Sequence, residues 1–319
     1  MTDRRPGPRP AIIGTCTLSP FDVAGGDQER LANGLAMIDD MARQAEQKGW
    51  QLDVVILPEQ FAQGEKELPQ QNAQTIDGPI VTAVAEKARE YSTHAAVPVR
   101  LREGDAFYNT LVILGRDGEP LGVYRKVFPV LTLDGSLEGG ITPGGEWPVL
   151  DLDFGRVGAQ ICFDVFFDDG WQTLDDNGAE LVLFSSATSG VAWLRSHANR
   201  HQYYVAASTW RPPSIIVDPI GREIARTAAN KEAMVVRIDM DYRVVPWNSL
   251  RDWGKEQMEK YGARIRQDWH YEEDHCLVTS TDPDLPVDEW LRRERLETSR
   301  EHLARNRPAI DKARGGAAG

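Results

Sequence analysis

A carboxylate, an ammonium and a thiol each stand where an apolar run of this chain stops. Glu59 follows Val54-Val-Ile-Leu-Pro58, Lys126 follows Leu121-Gly-Val-Tyr-Arg125, and Cys162 follows Val157-Gly-Ala-Gln-Ile161. Runs of this length and composition read as buried strands. A strand end presents a side chain on rigid backbone at the rim of a sheet. A thiol is a modest nucleophile until a base takes its proton. A carboxylate can take that proton. A fixed ammonium, with backbone N–H groups, stabilises the negative charge that grows when sulfur attacks an amide or nitrile carbon. The plain alternative for each residue alone is packing: a buried Glu–Lys ion pair and an inert core thiol. Taken together, the three types favour the chemistry.

The elements that would position them alternate along the chain. Strands are expected at Pro10–Cys16, Asp53–Leu57 and His94–Leu101, with amphipathic helices at Gln28–Gly49 and Pro79–Tyr91. Two apolar runs, Phe107–Gly115 and Pro120–Tyr124, flank Asp117-Gly118 and predict a hairpin, hence antiparallel pairing. Further strands are expected at 147–152, 156–162, 180–184, 203–209, 214–218, 223–227 and 233–238. Helices are expected at 171–177 and 191–202. After Asp241 the chain is charged, Trp-bearing and less periodic, with one helix expected at Val287–Arg305. The expected organisation is therefore a short disordered lead-in (1–9), one α/β domain with mixed sheets (10–241), and a C-terminal extension (242–319) whose Trp247, Trp253, Trp269 and Trp290 suit a subunit interface. The last residues, 315–319, read as frayed.

Leu57-Pro-Glu59, Tyr124-Arg-Lys126 and Ile161-Cys162-Phe-Asp164 resemble the three signature segments of the nitrilase (carbon–nitrogen hydrolase) superfamily, 67 and 36 positions apart. Tyr108-Asn109-Thr110, Gly178–Leu183 and Asp218-Pro-Ile-Gly221 are similar to its supporting segments. The resemblance implies a four-layer αββα sandwich, a homodimer or higher homo-oligomer, and a Glu59–Lys126–Cys162 triad. It implies no metal and no organic cofactor. A second glutamate that helps position substrate and triad matches Glu138, and the backbone N–H of Phe163 matches an oxyanion donor. Phe128, Ser186 and Trp193 are the further pocket candidates, with Trp210 beside them. The implied reaction is hydrolysis of a small linear amide through a thioester, of the amidase or N-carbamoyl amidohydrolase type. A nitrilase proper or an acyl transferase on the same fold are the alternatives, and a catalytically silent scaffold binding a protein partner is the alternative of another class.

Two stretches depart from the familiar branches. Phe163-Asp164 stands where nitrile-hydrolysing relatives carry Trp-Glu. Val165-Phe-Phe-Asp-Asp169 lacks the Arg and Pro of the carbamoylase branch, so a cation for a substrate carboxylate is missing there. Val127-Phe128-Pro129 after the lysine suggests a more apolar pocket.

Other chemistries find less support. His197 and His201 have zinc-compatible spacing, but no Glu stands beside His197 and no third ligand is evident. Five glycines between 135 and 145 lack the Lys-Ser/Thr of a phosphate loop and instead free the segment bearing Glu138 to bend. Ser185, Ser186 and Ser189 lack the Gly-x-Ser-x-Gly elbow. A net charge of −13 over 319 residues argues against a nucleic-acid partner. No apolar run reaches the ~20 residues of a membrane span, and no secretory apolar segment stands at the N-terminus. Three scattered cysteines, Cys16, Cys162 and Cys276, form no disulfide framework, so a cytoplasmic compartment is expected.

Overall fold

The structure is a computed structural model that describes residues 7–21, 23–64 and 67–316. The lead-in expected at 1–9 and the fraying expected at 315–319 fall largely outside the described residues. The chain folds as two compact units: Ala11–Ile238, and the described residues of 7–10 with 239–316.

In chain order the first unit holds β1 (Pro10–Thr17), α1 (Gly26–Gln47), β2 (Val54–Ile56), the short α2 (Pro69–Asn72), α3 (Pro79–Tyr91), β3 (His94–Glu103), β4 (Ala106–Leu114) and β5 (Pro120–Arg125). It continues with β6 (Leu150–Asp151), β7 (Arg156–Ile161), a 3₁₀ turn (Cys162–Phe166), α4 (Asp168–Asp176), β8 (Leu181–Ser186), α5 (Val191–His201), β9 (Tyr204–Thr209), β10 (Ile215–Val217), β11 (Glu223–Arg226) and β12 (Glu232–Asp239). The strands run β5-β4-β3-β2-β1-β9-β8-β7-β6, with β10 on β9, β11 on β10 and β12 on β1. β3 and β4 pair antiparallel, as the hairpin partners β4 and β5 do; β1, β2 and β3 are mutually parallel, and so are β7, β8 and β9. The halves join through one register pair, Thr17↔Thr209.

Each half carries its own helix layer, and period-2 alternation explains why. On β3, Ala95, Val97, Val99 and Leu101 face a core completed by Met37, Ile38 and Met41 of α1 and Ile80, Val81 and Val84 of α3. On the other half, Val182, Phe184, Val205 and Ala207 meet Trp171 and Leu174 of α4 and Leu194 and Ala198 of α5. The faces turned away from the helices meet each other and are largely apolar, with Ile13, Ile56, Leu111, Ile161 and Leu183 buried there beside a few polar residues, Thr15, Asn109, Ser185 and Ser208. They bond across: the Thr15 hydroxyl donates to the Ala207 carbonyl at 2.7 Å, Ser185 to the Leu57 carbonyl at 2.9 Å, and Tyr124 to Gln160 at 3.2 Å. The mixed α/β, four-layer αββα arrangement is thus present.

The second unit holds β13 (Tyr242–Pro246), α6 (Lys255–Tyr261), β14 (Ile265–His270), β15 (His275–Ser280), α7 (Val287–Glu294) and α8 (Ser299–Gly316). Its antiparallel sheet β13-β15-β14 has no counterpart in the sequence expectations. The single helix expected at Val287–Arg305 is two helices, because Arg295 takes a left-handed conformation (φ 55°) that ends the first. Trp290 is no surface residue: it is fully buried among Val245, Ile265, Val278 and Leu285, whereas Trp247 and Trp253 are exposed.

A glycine of α1 bears on the loop that carries Glu59. Gly34 of α1 lies against the fully buried ring of Phe61, two residues after Glu59, and a Cβ there would sit 2.1 Å from a ring carbon. Alanine favours a helix by about 1 kcal/mol over glycine, but overpacking a core costs roughly 1–3 kcal/mol. Gly34→Ala is therefore expected to lower the urea midpoint. A midpoint higher than wild type would show that Phe61 and its loop yield freely.

Candidate active site

Glu59 lies three residues beyond β2, Lys126 one residue beyond β5, and Cys162 directly after β7. The two sheet halves bring these ends together. Lys126 is 1% exposed, and its Nζ stands 3.1 Å from Glu59 Oε1 and 2.5 Å from Glu138 Oε1. Asn109 of β4 bridges the same two carboxylates, its amide donating to Glu59 Oε1 at 2.8 Å and Glu138 Oε2 at 3.2 Å. The backbone N–H of Ala187 donates to Glu59 Oε2 at 3.1 Å, and that of Val130 to Glu138 Oε1 at 3.0 Å. The Trp210 indole donates to the Glu59 carbonyl. Glu59 thus receives three donors on its carboxylate.

Burial works against the Lys126 charge, but Glu59 leads the neighbours that outweigh it, and the ammonium is held above the ordinary lysine range. Burial opposes the Glu138 charge too, yet Lys126 and the Val130 N–H keep its carboxyl below the usual range. The Cys162 thiol is pushed up to about 12, first by burial and then by the Glu59 charge, against smaller pulls from Lys126, Ser186 and Ala187. Burial and the Glu59 charge thus both favour the protonated thiol.

Two backbone conformations aim the site. Cys162 has φ 48° and Glu138 φ 47°, left-handed positions that non-glycine residues rarely occupy. Asp164 fixes the turn of Cys162. Its Oδ2 accepts from the Ile161 N–H at 2.8 Å and the Tyr124 hydroxyl at 2.7 Å, and its Oδ1 from the Phe128 N–H at 2.9 Å. One buried carboxylate therefore ties the turn that carries Cys162 to residues on both sides of Lys126. In the glycine-rich segment, Gly144 lies so close to the Arg125 carbonyl that a Cβ would sit 2.2 Å from its oxygen, and the Gly144 N–H donates to the Lys126 carbonyl at 2.8 Å.

Glu59, Lys126, Glu138 and Cys162 line one pocket of about 400 Å³, with Gln60, Arg100 and Trp210. Beyond the four, its walls mix apolar Leu68, Val130, Ala187 and Trp210 with polar Gln60, Arg100, Thr132 and Ser136. Phe128 does not line it, because its ring stacks on Phe167 (centroids 4.0 Å) and leans on Trp147. Phe163 packs its ring on Phe166 and Phe167, so only its backbone is near the thiol. Trp193, 48% exposed, sits edge-on to Phe166 rather than in the pocket. Ser186 is buried beside the thiol and accepts from the Thr188 N–H at 3.0 Å.

Asn109, Asp164 and Arg100 carry more of this site than their sequence signals suggest. Arg100 is the clearest omission: a charged residue inside the apolar run His94–Leu101, on the β3 face opposite the helix-facing Val99 and Leu101. Its guanidinium donates to the Glu67 carbonyl (2.8 Å), Asn72 (3.1 Å) and Gln60 (2.6 Å).

Burial pushes the Asp164 carboxyl up to about 6 from an ordinary 3.8. Between those two pH values the native state binds more protons than the unfolded chain, so this group makes stability fall as pH rises through the window and level off above it. Asp164→Asn removes that dependence and leaves one or two buried donors without an acceptor, about 1–3 kcal/mol each. Urea unfolding from pH 4 to 7 is expected to show the variant at its greatest disadvantage at the acid end. A wild-type minus variant difference that does not shrink toward pH 7 would refute this account.

The Carbon-nitrogen hydrolase family model matches residues 13–245. The chain is 30% identical to the omega-amidase NIT2 of Bos taurus over 256 residues, covering 71% of this chain and 88% of the relative. It is 31% identical to that of Homo sapiens over 220 residues, covering 60% and 77%. Among solved structures, a carbon-nitrogen hydrolase from Helicobacter pylori superposes with a TM-score of 0.63 at 15% identity, over 73% of this chain and 90% of that one. No helix of the described residues is long and apolar enough to cross a membrane. The chain belongs to the carbon-nitrogen hydrolase family and is an enzyme of that class.

Proposed function

We propose that this enzyme hydrolyses the terminal amide of a small molecule through a thioester on Cys162. The observation that carries the reading is the Lys126 ammonium clamped between Glu59 and Glu138 in the pocket that also holds the Cys162 thiol. In the first half-reaction Cys162 gives its proton to Glu59, and sulfur attacks the amide carbon. Lys126 and the backbone N–H groups that open the 3₁₀ turn, Phe163 first, stabilise the oxyanion. Collapse breaks the C–N bond, Glu59 returns the proton to nitrogen, and ammonia leaves. Water then enters, Glu59 takes its proton, the hydroxide attacks the thioester, and collapse releases a carboxylic acid while Glu59 returns the proton to sulfur. Asn109 and Glu138 position Lys126 and Glu59 rather than touch the reacting atoms. The omega-amidase relatives support the amide over the nitrile alternative.

Ammonia released from a panel of amides, carbamoyl compounds and nitriles tests the reading. Wild type is expected to turn over amides. Cys162→Ala is expected to abolish turnover, and Glu59→Gln to lower kcat by about 10²–10⁴ while leaving the fold intact. Equal activity in wild type and Cys162→Ala would sink the thioester route.

Arg100 gives the pocket the cation that the stretch after Cys162 lacks. We therefore infer a preference for amides that carry a carboxylate at their other end. A charge-assisted hydrogen bond is worth about 1.5–3 kcal/mol. Arg100→Gln is expected to raise KM for such a monoamide roughly tenfold or more, with kcat little changed. KM for a neutral amide of the same length should stay put. A parallel rise for both would remove Arg100 from substrate selection.

A further inference from the structure

Outside the pocket, α4 and α5 bring two imidazoles and a carboxylate to one point. We propose that Asp168, His197 and His201 form a binding site for a divalent transition-metal ion, with zinc the best match. The ligand atoms of these three residues lie within 4.8 Å of one another. The sequence offers only His197 and His201, four apart on one face of α5. The third ligand comes from Asp168, the first residue of α4, and only the fold places it there.

The distances leave room for an ion between the three groups. Asp168 Oδ1 is 3.4 Å from His201 Nε2 and 3.8 Å from His197 Nδ1. Charge-assisted hydrogen bonds close to about 2.7–2.9 Å. Zinc bonds of about 2.0–2.1 Å in a tetrahedron set two donors roughly 3.3 Å apart. The two distances to Asp168 lie near that edge and the two imidazole nitrogens within 4.8 Å of each other, so the three groups share an ion once the histidines close on it.

The surroundings fix the ligands as metal sites require. His197 Nε2 lies 2.9 Å from the Val165 carbonyl oxygen, which can only accept. The proton of the neutral ring is therefore on Nε2, and the Nδ1 lone pair points toward Asp168. His201 Nδ1 faces Asp175 Oδ2 at 3.3 Å, a carboxylate behind the imidazole. Trp171 stacks on the His197 ring at 4.2 Å and holds its plane. Arg200 contacts the other oxygen of Asp168 at 3.1 Å, which turns Oδ1 toward the histidines while placing one positive charge nearby. Both histidines are buried and the Asp168 side chain is 43% exposed, so the fourth position opens outward. An ion here would pin α4 to α5 beneath the Val165 turn that begins at Cys162.

The full-length protein, stripped with EDTA, is titrated with Co²⁺ while visible absorption is recorded, and with Zn²⁺ while thermal unfolding is followed. One equivalent of Co²⁺ is expected to give tetrahedral d–d bands without a thiolate charge-transfer band. Saturating Zn²⁺ should raise Tm by roughly 5 °C. His201→Gln and Asp168→Asn should lose both signals, and His302→Gln in the second unit should keep them. His201 is buried, so if its variant misfolds the half-exposed Asp168→Asn decides. No cobalt spectrum in wild type, equal binding by Asp168→Asn, or a thiolate band would each overturn the site.

Discussion

The site is organised around one buried positive charge. An ammonium taken out of water costs several kcal/mol unless its partners are close and fully bonded. Lys126 meets that demand with two carboxylates, and each belongs to a different segment: Glu59 beyond β2, Glu138 on the loop after β5. Those carboxylates in turn need donors, which Asn109, Ala187 and Val130 supply. Satisfying one charge therefore orders five stretches of chain. The network adds to a few polar bonds that already cross between the sheet halves, Ser185 to the Leu57 carbonyl and Tyr124 to Gln160.

Asp164 does the same for the other reactive group. It sits two residues past Cys162 and accepts from the Ile161 and Phe128 amides and the Tyr124 hydroxyl. Its three bonds join the β7 end to the β5 end, so the positions of thiol and ammonium are set by a common anchor. The left-handed backbone at Cys162 is held in place by these contacts, and that at Glu138 by its N–H donating to the Val130 carbonyl and by its ion pair with Lys126. Strain and buried charge, each unfavourable alone, are here consequences of the same requirement to converge side chains from distant segments.

Much of this is legible in the sequence because strand ends punctuate it. Apolar runs that stop at Glu59, Lys126 and Cys162 carry both the element and the side chain, and the Asp117-Gly118 turn fixes the hairpin that delivers Lys126. What the pattern hides depends on which way a residue faces. Arg100 sits between the helix-facing Val99 and Leu101 of a largely apolar strand, and which face meets the pocket is decided only when the two sheet halves close. Phe128 and Trp193 look like pocket aromatics by position, yet Phe128 is drawn onto Phe167 and Trp193 onto Phe166. The strands of the second unit are obscured because their half-buried faces mix charged and apolar residues, as in Arg266-Gln-Asp-Trp-His270. Asp168 is invisible as a partner of His197 and His201 until α4 lies beside α5.

The charge count of the cluster bears on why a second glutamate is present at all. With the thiol protonated, Glu59, Glu138 and Lys126 sum to one negative charge. If Lys126 faced Glu59 alone, the pair would be neutral at rest and bound to each other, and the ammonium would have to leave its only partner to meet an oxyanion. Glu138 holds Lys126 in place whatever Glu59 is doing. When the proton of Cys162 moves to Glu59, the total stays at one negative charge; the charge moves from Glu59 to sulfur and then to the substrate oxygen. The proposed reaction thus creates no new buried charge, which would be costly, but relocates an existing one past a fixed ammonium. For the count to hold, the thiol must be protonated before attack, and that is the state that burial and the Glu59 charge impose on Cys162.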